Sequence, residues 1–221
     1  LGNYVLYDDK RGYAEAADSA VLIDYSQRDT FYAHADSFFL QTFHINTDSV
    51  YRMLHAYHHV RAYRVDIQAV CDSMVYDGRD SCTTMYRDPI IWQEGQQLLG
   101  EVIKAWRNDS TIDSVYVVNQ ALSVERIDSV HYNQVASKEM HIYFRGKNPY
   151  LTVADMNVFV NYYPFDDDSL MIGMNHTETS QMKLYMNERK VDKIWMPEAT
   201  GDMYPLTLIP PQDLYLENFA W

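Results

Sequence analysis

Residues 151–162 read Leu151-Thr152-Val153-Ala154-Asp155-Met156-Asn157-Val158-Phe159-Val160-Asn161-Tyr162. No Gly or Pro interrupts the run, and β-branched and aromatic side chains are frequent in it. Apolar residues recur at every second position, the period of a strand and not of a helix. Alternate side chains of a strand point to opposite faces. The odd positions Leu151, Val153, Asp155, Asn157, Phe159 and Asn161 compete with the even positions Thr152, Ala154, Met156, Val158, Val160 and Tyr162. The even set is the more apolar and is expected to face inward, Asn161 outward; in other strands a bulge shifts the facing by one.

The same texture extends in both directions. Helix templates fail almost everywhere; only residues 94–106 could be argued as a helix, and Gly95, Gly100 and apolar pairs at period two weaken it there. Polar turns separate the runs: Asp8-Asp9-Lys10-Arg11-Gly12, Asp77-Gly78-Arg79-Asp80, Arg107-Asn108-Asp109-Ser110, Arg145-Gly146-Lys147-Asn148 and Asn187-Glu188-Arg189-Lys190. Each is most simply a hairpin. Asp-Ser dipeptides, from Asp18-Ser19 to Asp168-Ser169, mark further turns and strand ends, because both side chains bond the backbone nearby.

Aligned against one another, the runs repeat. A short polar residue followed by an apolar strand occurs at Ser19-Ala20-Val21-Leu22, His59-Val60-Arg61-Ala62, Asp88-Pro89-Ile90-Ile91, Gln120-Ala121-Leu122-Ser123, Asn157-Val158-Phe159-Val160 and Asp202-Met203-Tyr204-Pro205. Between these anchors lies a small residue, two mostly polar ones and a second strand: Ala35-Asp36-Ser37-Phe38, Cys71-Asp72-Ser73-Met74, Gly100-Glu101-Val102-Ile103, Ser137-Lys138-Glu139-Met140 and Thr179-Ser180-Gln181-Met182. A third run, as at Ser49-Val50-Tyr51 or Ser114-Val115-Tyr116, leads to the next anchor. The unit is strand, strand, turn, strand, about six times over. Stacked β-rungs of this kind bury their apolar faces only against neighbouring rungs.

Composition fits this and excludes several functions. The chain has 221 residues, with 18 Lys+Arg against 31 Asp+Glu and a net charge of −13. Nucleic acid and anionic membrane surfaces both call for clustered positive charge, and no Lys/Arg run exceeds two residues. Nineteen Tyr with 8 Gly and 7 Pro suit strands, where a ring packs on the pleated surface and its hydroxyl stays in water. No stretch approaches the ~18 apolar residues of a membrane-spanning helix. The start at Leu1 without a charged and apolar leader, and the apolar ending Phe219-Ala220-Trp221, read as a domain of a longer protein.

These residues resemble a known family. The segment Tyr4-Val5-Leu6-Tyr7-Asp8-Asp9-Lys10-Arg11-Gly12-Tyr13, continuing to Asp18-Ser19-Ala20-Val21-Leu22-Ile23-Asp24, is followed by Asp29-Thr30-Phe31-Tyr32-Ala33-His34-Ala35-Asp36-Ser37. Together they resemble a rung of the OstA/LptA family. Residues 51–85, with Val70-Cys71-Asp72-Ser73-Met74-Val75-Tyr76, and Asn119-Gln120-Ala121-Leu122-Ser123-Val124-Glu125 resemble the OstA-like proteins of the Bacteroides group. The resemblance covers essentially the whole chain, with one departure. The glycine commonly expected before each anchor is present only as Gly201, and Asp18, His58, Arg87, Asn119 and Met156 take its place elsewhere.

The resemblance implies a single all-β domain over residues 1–221, an elongated, twisted, open β-jellyroll of stacked antiparallel rungs similar to LptA and the N-terminal domain of LptD. It implies a non-enzymatic, periplasmic, outer-membrane-associated protein that carries lipopolysaccharide or a related lipid by its acyl chains, with no cofactor and no catalytic residue. Lining of the lipid groove is expected from Val21, Ile23, Val60, Ile67, Val75, Ile91, Val102 and Val118 in the first half. In the second half it is expected from Leu122, Met140, Ile142, Met156, Val158, Val160 and Met174. Trp92, Trp106, Trp195, Met74 and Met182 are either further lining or plain core. Burial of each CH₂ is worth roughly 0.8 kcal/mol, so acyl chains alone supply affinity, and the negative protein leaves charged headgroups in water. Edge strands at Tyr4 and Leu6, and at Leu206 and Leu208 in a last strand over 204–209, would add other Lpt-type proteins or further copies head to tail by strand pairing. Pro210-Pro211 would oppose it at the latter.

Other chemistry has weaker signals. His55, His58 and His59 could bind zinc, but on a strand His58 points away from the other two, so exposed strand histidines are favoured over a metal site. Cys71 and Cys82 flank a turn and are either disulfide-bonded or two buried thiols. Asp166-Asp167-Asp168 lacks the spaced ligands of a calcium loop. Asn108-Asp109-Ser110 and Asn175-His176-Thr177 match a glycosylation acceptor, and no nucleophile elbow or phosphate loop occurs. Two alternatives to a lipid carrier stand: a structural or adhesive β-solenoid with a closed core, and an enzyme acting on polysaccharide, which would need facing carboxylates.

Overall fold

The computed structural model describes residues 1–26, 29–108, 111–188 and 190–221. The turns expected at 107–110 and 187–190 and the acceptor at Asn108 lie partly outside the described residues, at Asp109, Ser110 and Arg189. The protein is all-β. In chain order the strands are β1 (Tyr4–Asp8), β2 (Tyr13–Asp24), β3 (Phe31–Phe43), β4 (Tyr51–Arg64), β5 (Ile67–Asp77), β6 (Cys82–Tyr86), β7 (Ile90–Gln93) and β8 (Gln96–Leu99). They continue with β9 (Val102–Arg107), β10 (Ile112–Arg126), β11 (Tyr132–Arg145), β12 (Asn148–Tyr162), β13 (Met174–Asn187), β14 (Lys190–Trp195) and β15 (Thr200–Tyr204). Residues 94–106 are therefore not a helix: β8 and β9 flank Gly100, where a Cβ would collide with the Val117 side chain.

Two compact units divide the chain, residues 1–94 with 101–113, and residues 95–100 with 114–221. In the first, β1 to β5 form consecutive antiparallel pairs. Strand β5 then divides its partners, its C-terminal half pairing with β6 and its N-terminal half with β7. In the second, β8 pairs with β10, and β10 to β13 follow one another. Strand β13 divides in turn between β14 and β15.

At one level in each long ladder the register slips: between Ala17 and Ala20, His34 and Ser37, and Tyr57 and Val60 in the first unit. The same happens between Val118 and Ala121, Ala136 and Glu139, and Asp155 and Val158 in the second. Left-handed residues sit directly before the anchors: Asp18 and Ser19, His59, Arg87 and Asp88, Asn119 and Gln120, Met156 and Asn157. Bulges of this kind bend a strand and increase its twist. A glycine before the anchor would suit this conformation, and four of the five residues in its place, Asp18, Arg87, Asn119 and Met156, adopt it with φ between 57° and 65°. In the remaining rung His59 does so instead of His58. Gly201 serves another purpose, since a Cβ there would strike the carbonyl of His176.

The repeat reappears in the burial. The anchors Ala20, Val60, Ala121 and Val158 are no more than 2% exposed, and Ala35, Cys71, Ser137 and Thr179, which open the second element, are buried as well. The last anchor, Met203, is exposed. Among the described residues the one helical segment is the exposed 3-10 turn Leu206–Leu208. The bulges recur at one line across the long strands of each unit.

Two expectations are corrected, one about exposure and one about the last strand. Ala154, Val158 and Val160 are buried as the even positions should be, but Met156 is 42% and Tyr162 41% exposed, while Asn161 is 0% exposed. Met156 lies within the left-handed bulge, which turns it out, and Asn161 is covered from the other side by residues 213–214. The last strand does not run to residue 209. It ends at Tyr204, and Leu206 and Leu208 belong to a 3-10 turn in which Leu208 N donates to Pro205 O at 2.8 Å. Pro205 has no N–H to give to a ladder, and Pro210 and Pro211 follow.

Candidate functional site

In each unit one apolar row crosses the strands at right angles. The register aligns Phe38 with Ala56, Ala56 with Met74, Met74 with Met85 and Met85 with Ile103. In the second unit it aligns Val117 with Met140, Met140 with Ala154 and Ala154 with Met182. None of these residues exceeds 8% exposure. Large and small side chains alternate imperfectly, and methionine supplies four of the nine positions, an unbranched residue that repacks easily. Each row is a continuous track of apolar atoms from strand to strand, with no charged group in it.

The residues expected to line a groove divide between two faces. Alternation from the buried anchors and rows puts Val60, Ile67, Ile91, Met140, Ile142, Val158 and Val160 on the inward face. Val21, Ile23, Val75, Val102, Val118, Leu122 and Met174 fall on the outward face, and Met156 on the bulge. Across the slip inside and outside exchange in β3, β5, β11 and β13, where Ala35 and Phe38, Cys71 and Met74, Ser137 and Met140, and Thr179 and Met182 are all buried, whereas Ala56 and Val60, Val117 and Ala121, and Ala154 and Val158 keep the same parity; a sequence pattern does not record which. Of the Trp candidates, Trp195 is 42% exposed, with Lys183 Nζ 5.2 Å from its ring.

Part of the outward face of the second unit is nevertheless buried, by the chain itself. The row that runs three residues after the anchors holds Gln97, Val124, Gln134, Asn161 and His176, each aligned with the next. Gln134, fully buried, donates from Nε2 to Leu214 O at 2.9 Å and accepts from Leu216 N at Oε1 at 2.8 Å. Asn161 Nδ2 donates to Asp213 O at 2.7 Å, and its Oδ1 accepts from His176 Nδ1 at 2.7 Å. Two side-chain amides thus pair with the main chain of residues 213–216 much as a neighbouring strand would. The apolar ending is anchored beside them, with Phe219 and Trp221 ring centroids 5.1 and 5.2 Å from that of Tyr132. Two buried polar atoms have no hydrogen-bond partner among the described residues, Gln97 Oε1 and Tyr163 Oη. Burial pushes the Tyr163 hydroxyl up to about 12. Sequence reasoning missed this strap. Its signals were an amide at an alternating position of an otherwise apolar strand, and an apolar tail after two prolines.

The remaining candidates are dispersed. His58 Nδ1 pairs with Asp72 at 3.0 Å, His59 Nδ1 with Asp36 at 2.9 Å and His55 Nδ1 with Tyr57 Oη at 3.0 Å, so each has its own neighbour. Hydrogen bonds from these histidines hold the Asp36 and Asp72 carboxyls below the usual range. Among the described residues no group of three His, Cys, Asp or Glu is placed to hold a metal ion. Cys71 and Cys82 are free and buried. Cys82 aligns with Asp77, six residues along β5 from Cys71, a separation of roughly 20 Å at about 3.3 Å per residue, far beyond disulfide reach. Burial pushes the Cys71 thiol up to about 12. Asp166 Oδ1 accepts from the amides of Asp168 and Leu170 and so closes its own loop. Tyr4 and Leu6 lie on β1, which pairs with β2 and ends the ladder of the first unit among the described residues; both are exposed.

No protein-family model matches the chain, and no curated protein is significantly similar to it.

Proposed function

We propose that this protein is a non-enzymatic carrier of lipid acyl chains, of the kind that moves lipopolysaccharide or a related lipid across the periplasm to the outer membrane. The observation that carries this reading is the apolar row in each unit, Phe38 to Ile103 and Val117 to Met182, which passes from strand to strand without a charged side chain. An acyl chain lying along such a row exchanges methionine and alanine contacts for equivalent ones at each step, so it is held by burial at roughly 0.8 kcal/mol per CH₂ and slides without a specific polar contact to break. With 31 acids against 18 bases, the surface offers phosphates little, and sugars and phosphates stay in water. Among the described residues β1 pairs with β2 alone, and its other side would extend the sheet by adding a strand of a neighbouring protein.

Photo-crosslinking tests this directly. A benzophenone amino acid at Met85 or Met140 should crosslink to lipopolysaccharide, whereas the same group at exposed Glu178 should not. Absence of a crosslink at both row positions would overturn the carrier reading. A second reading, a structural β-solenoid, is favoured by the complete burial of Ile103 in the first unit and of Val117, Met140 and Ala154 in the second. It predicts that no acyl lipid changes the unfolding temperature.

A further inference from the structure

The row that receives the strap in the second unit has a counterpart in the first. Three residues after the anchors Val60 and Pro89 come Tyr63 and Trp92, and the register aligns Tyr32 with Tyr63, Tyr63 with Gln68 and Gln68 with Trp92. Tyr32 holds the place of Gln134, Tyr63 that of Asn161 and Gln68 that of His176, counted from the same bulges. Among the described residues no segment of its unit hydrogen-bonds across this counterpart as residues 213–216 do across the other. Tyr32 is 43% and Tyr63 50% exposed, where Gln134 and Asn161 are at 0%. The rings do not close the gap, since no ring contact joins the aligned pair Tyr32 and Tyr63 among the described residues, while Tyr116 and His141 stack at 4.0 Å. A cleft of about 330 Å³ results, lined by Tyr32, His34, Arg61, Tyr63, Gln68 and Trp92 with the chain between them. The cleft holds no acid, in a chain of net charge −13, and Arg61 has no ion-pair partner among the described residues.

We infer that this face docks an extended, acidic, aromatic-bearing segment of a partner polypeptide. What such a segment looks like is shown by the strap: residues 205–221 carry Asp213, Glu217, Tyr215, Phe219 and Trp221 and no Lys or Arg. In the second unit the strap is held by main-chain bonds to amides and by ring packing. The cleft offers the same two contacts, the Gln68 amide for the main chain and three aromatic rings for an apolar side chain. It adds a guanidinium, whose planar fork suits a carboxylate. Aromatic residues and Arg together are the composition of binding hot spots. The inference does not depend on the carrier reading, because the cleft lies on the face opposite the apolar row.

The probe is a synthetic peptide of residues 205–221 with a benzophenone replacing the Phe219 ring, added to the full chain. Saturable binding is expected, with crosslinks mapped by mass spectrometry to residues 32–92, and weakened at least about tenfold by Arg61→Glu and by Trp92→Ala. Both side chains sit on a surface cleft, and circular dichroism of each variant shows whether the sheet is kept; Arg61→Gln, a milder change, should weaken binding in the same direction. Crosslinks confined to residues 114–204 would mean exchange with the resident strap and would overturn the inference. So would indifference to all three substitutions, tighter Arg61-dependent binding of an oligogalacturonate, which would make the cleft a glycan site, or dimerisation of the free chain lost in Arg61→Glu, which would make the occupant a second copy.

Discussion

The second unit buries its outward row beneath residues 213–216, and the first leaves the equivalent row open to solvent. Both rows follow from the same repeat and the same bulges, so backbone geometry does not separate them. Three side chains do. Gln134 and Asn161 can satisfy a main chain laid across them, and His176 fixes the Asn161 amide by accepting neither role from the strap but donating to its oxygen at 2.7 Å. At the corresponding places the first unit has Tyr32, Tyr63 and Gln68, and the two tyrosines are 43% and 50% exposed. A repeat fold can thus hold its interior constant and vary what its outer face accepts through one row of residues per unit.

What the units share should respond most strongly to mutation. Ile103→Ala in the first row and Met140→Ala in the second remove side chains at 0% exposure, and each should cost about 3–4 kcal/mol by urea unfolding. A much smaller loss at one of them would mean that its row has room to collapse, and the two interiors would no longer be equivalent.

The contrast itself is tested next. Gln134→Ala takes the acceptor from Leu216 N and leaves Leu214 O only Asn161 Nδ2 at 3.5 Å, in a half-buried place, and should cost about 2 kcal/mol while opening residues 213–221 to proteolysis. Tyr32→Ala, at the same place in the repeat, should cost less than about 1 kcal/mol and expose nothing to a protease. Equal losses would show that the first face is already covered, and the comparison would fail.

The repeat explains why much of the fold was legible in the sequence. Alternation marked the strands, and the second element of the repeat ended on Phe38, Met74, Ile103, Met140 and Met182, all of which lie in the two rows. Pairwise facing was not legible. Val21, Val75 and Val118 look like Val60 and Val158 in a hydropathy pattern, and which are inside is decided by each strand's register against its buried neighbours. The strap was hidden for another reason. Its partners are 80 and 82 residues away from Gln134, and a buried amide is identified by what it bonds, not by its neighbours in the chain.

The smallest effect concerns the bulges and should be alike in the two units. Met156 and Arg87 occupy left-handed backbone at φ 65° and 61°, a conformation in which a side chain costs roughly 1–2 kcal/mol. Glycine removes that cost but loses about 0.5–1 kcal/mol to the greater freedom of the unfolded chain. Met156 is 42% exposed, so little packing is lost with it. Met156→Gly should therefore raise stability by roughly 0.5–1 kcal/mol. Arg87→Gly should gain less, because it also gives up the 3.2 Å ion pair with Asp72. Gly201→Ala goes the other way, since its methyl would meet the His176 carbonyl, and it should destabilise the pairing of β15 with β13. If Met156→Gly were destabilising, the bulge would depend on the side chain and not on the backbone, and the common bulge on which the equivalence of the two rows rests would have to be abandoned.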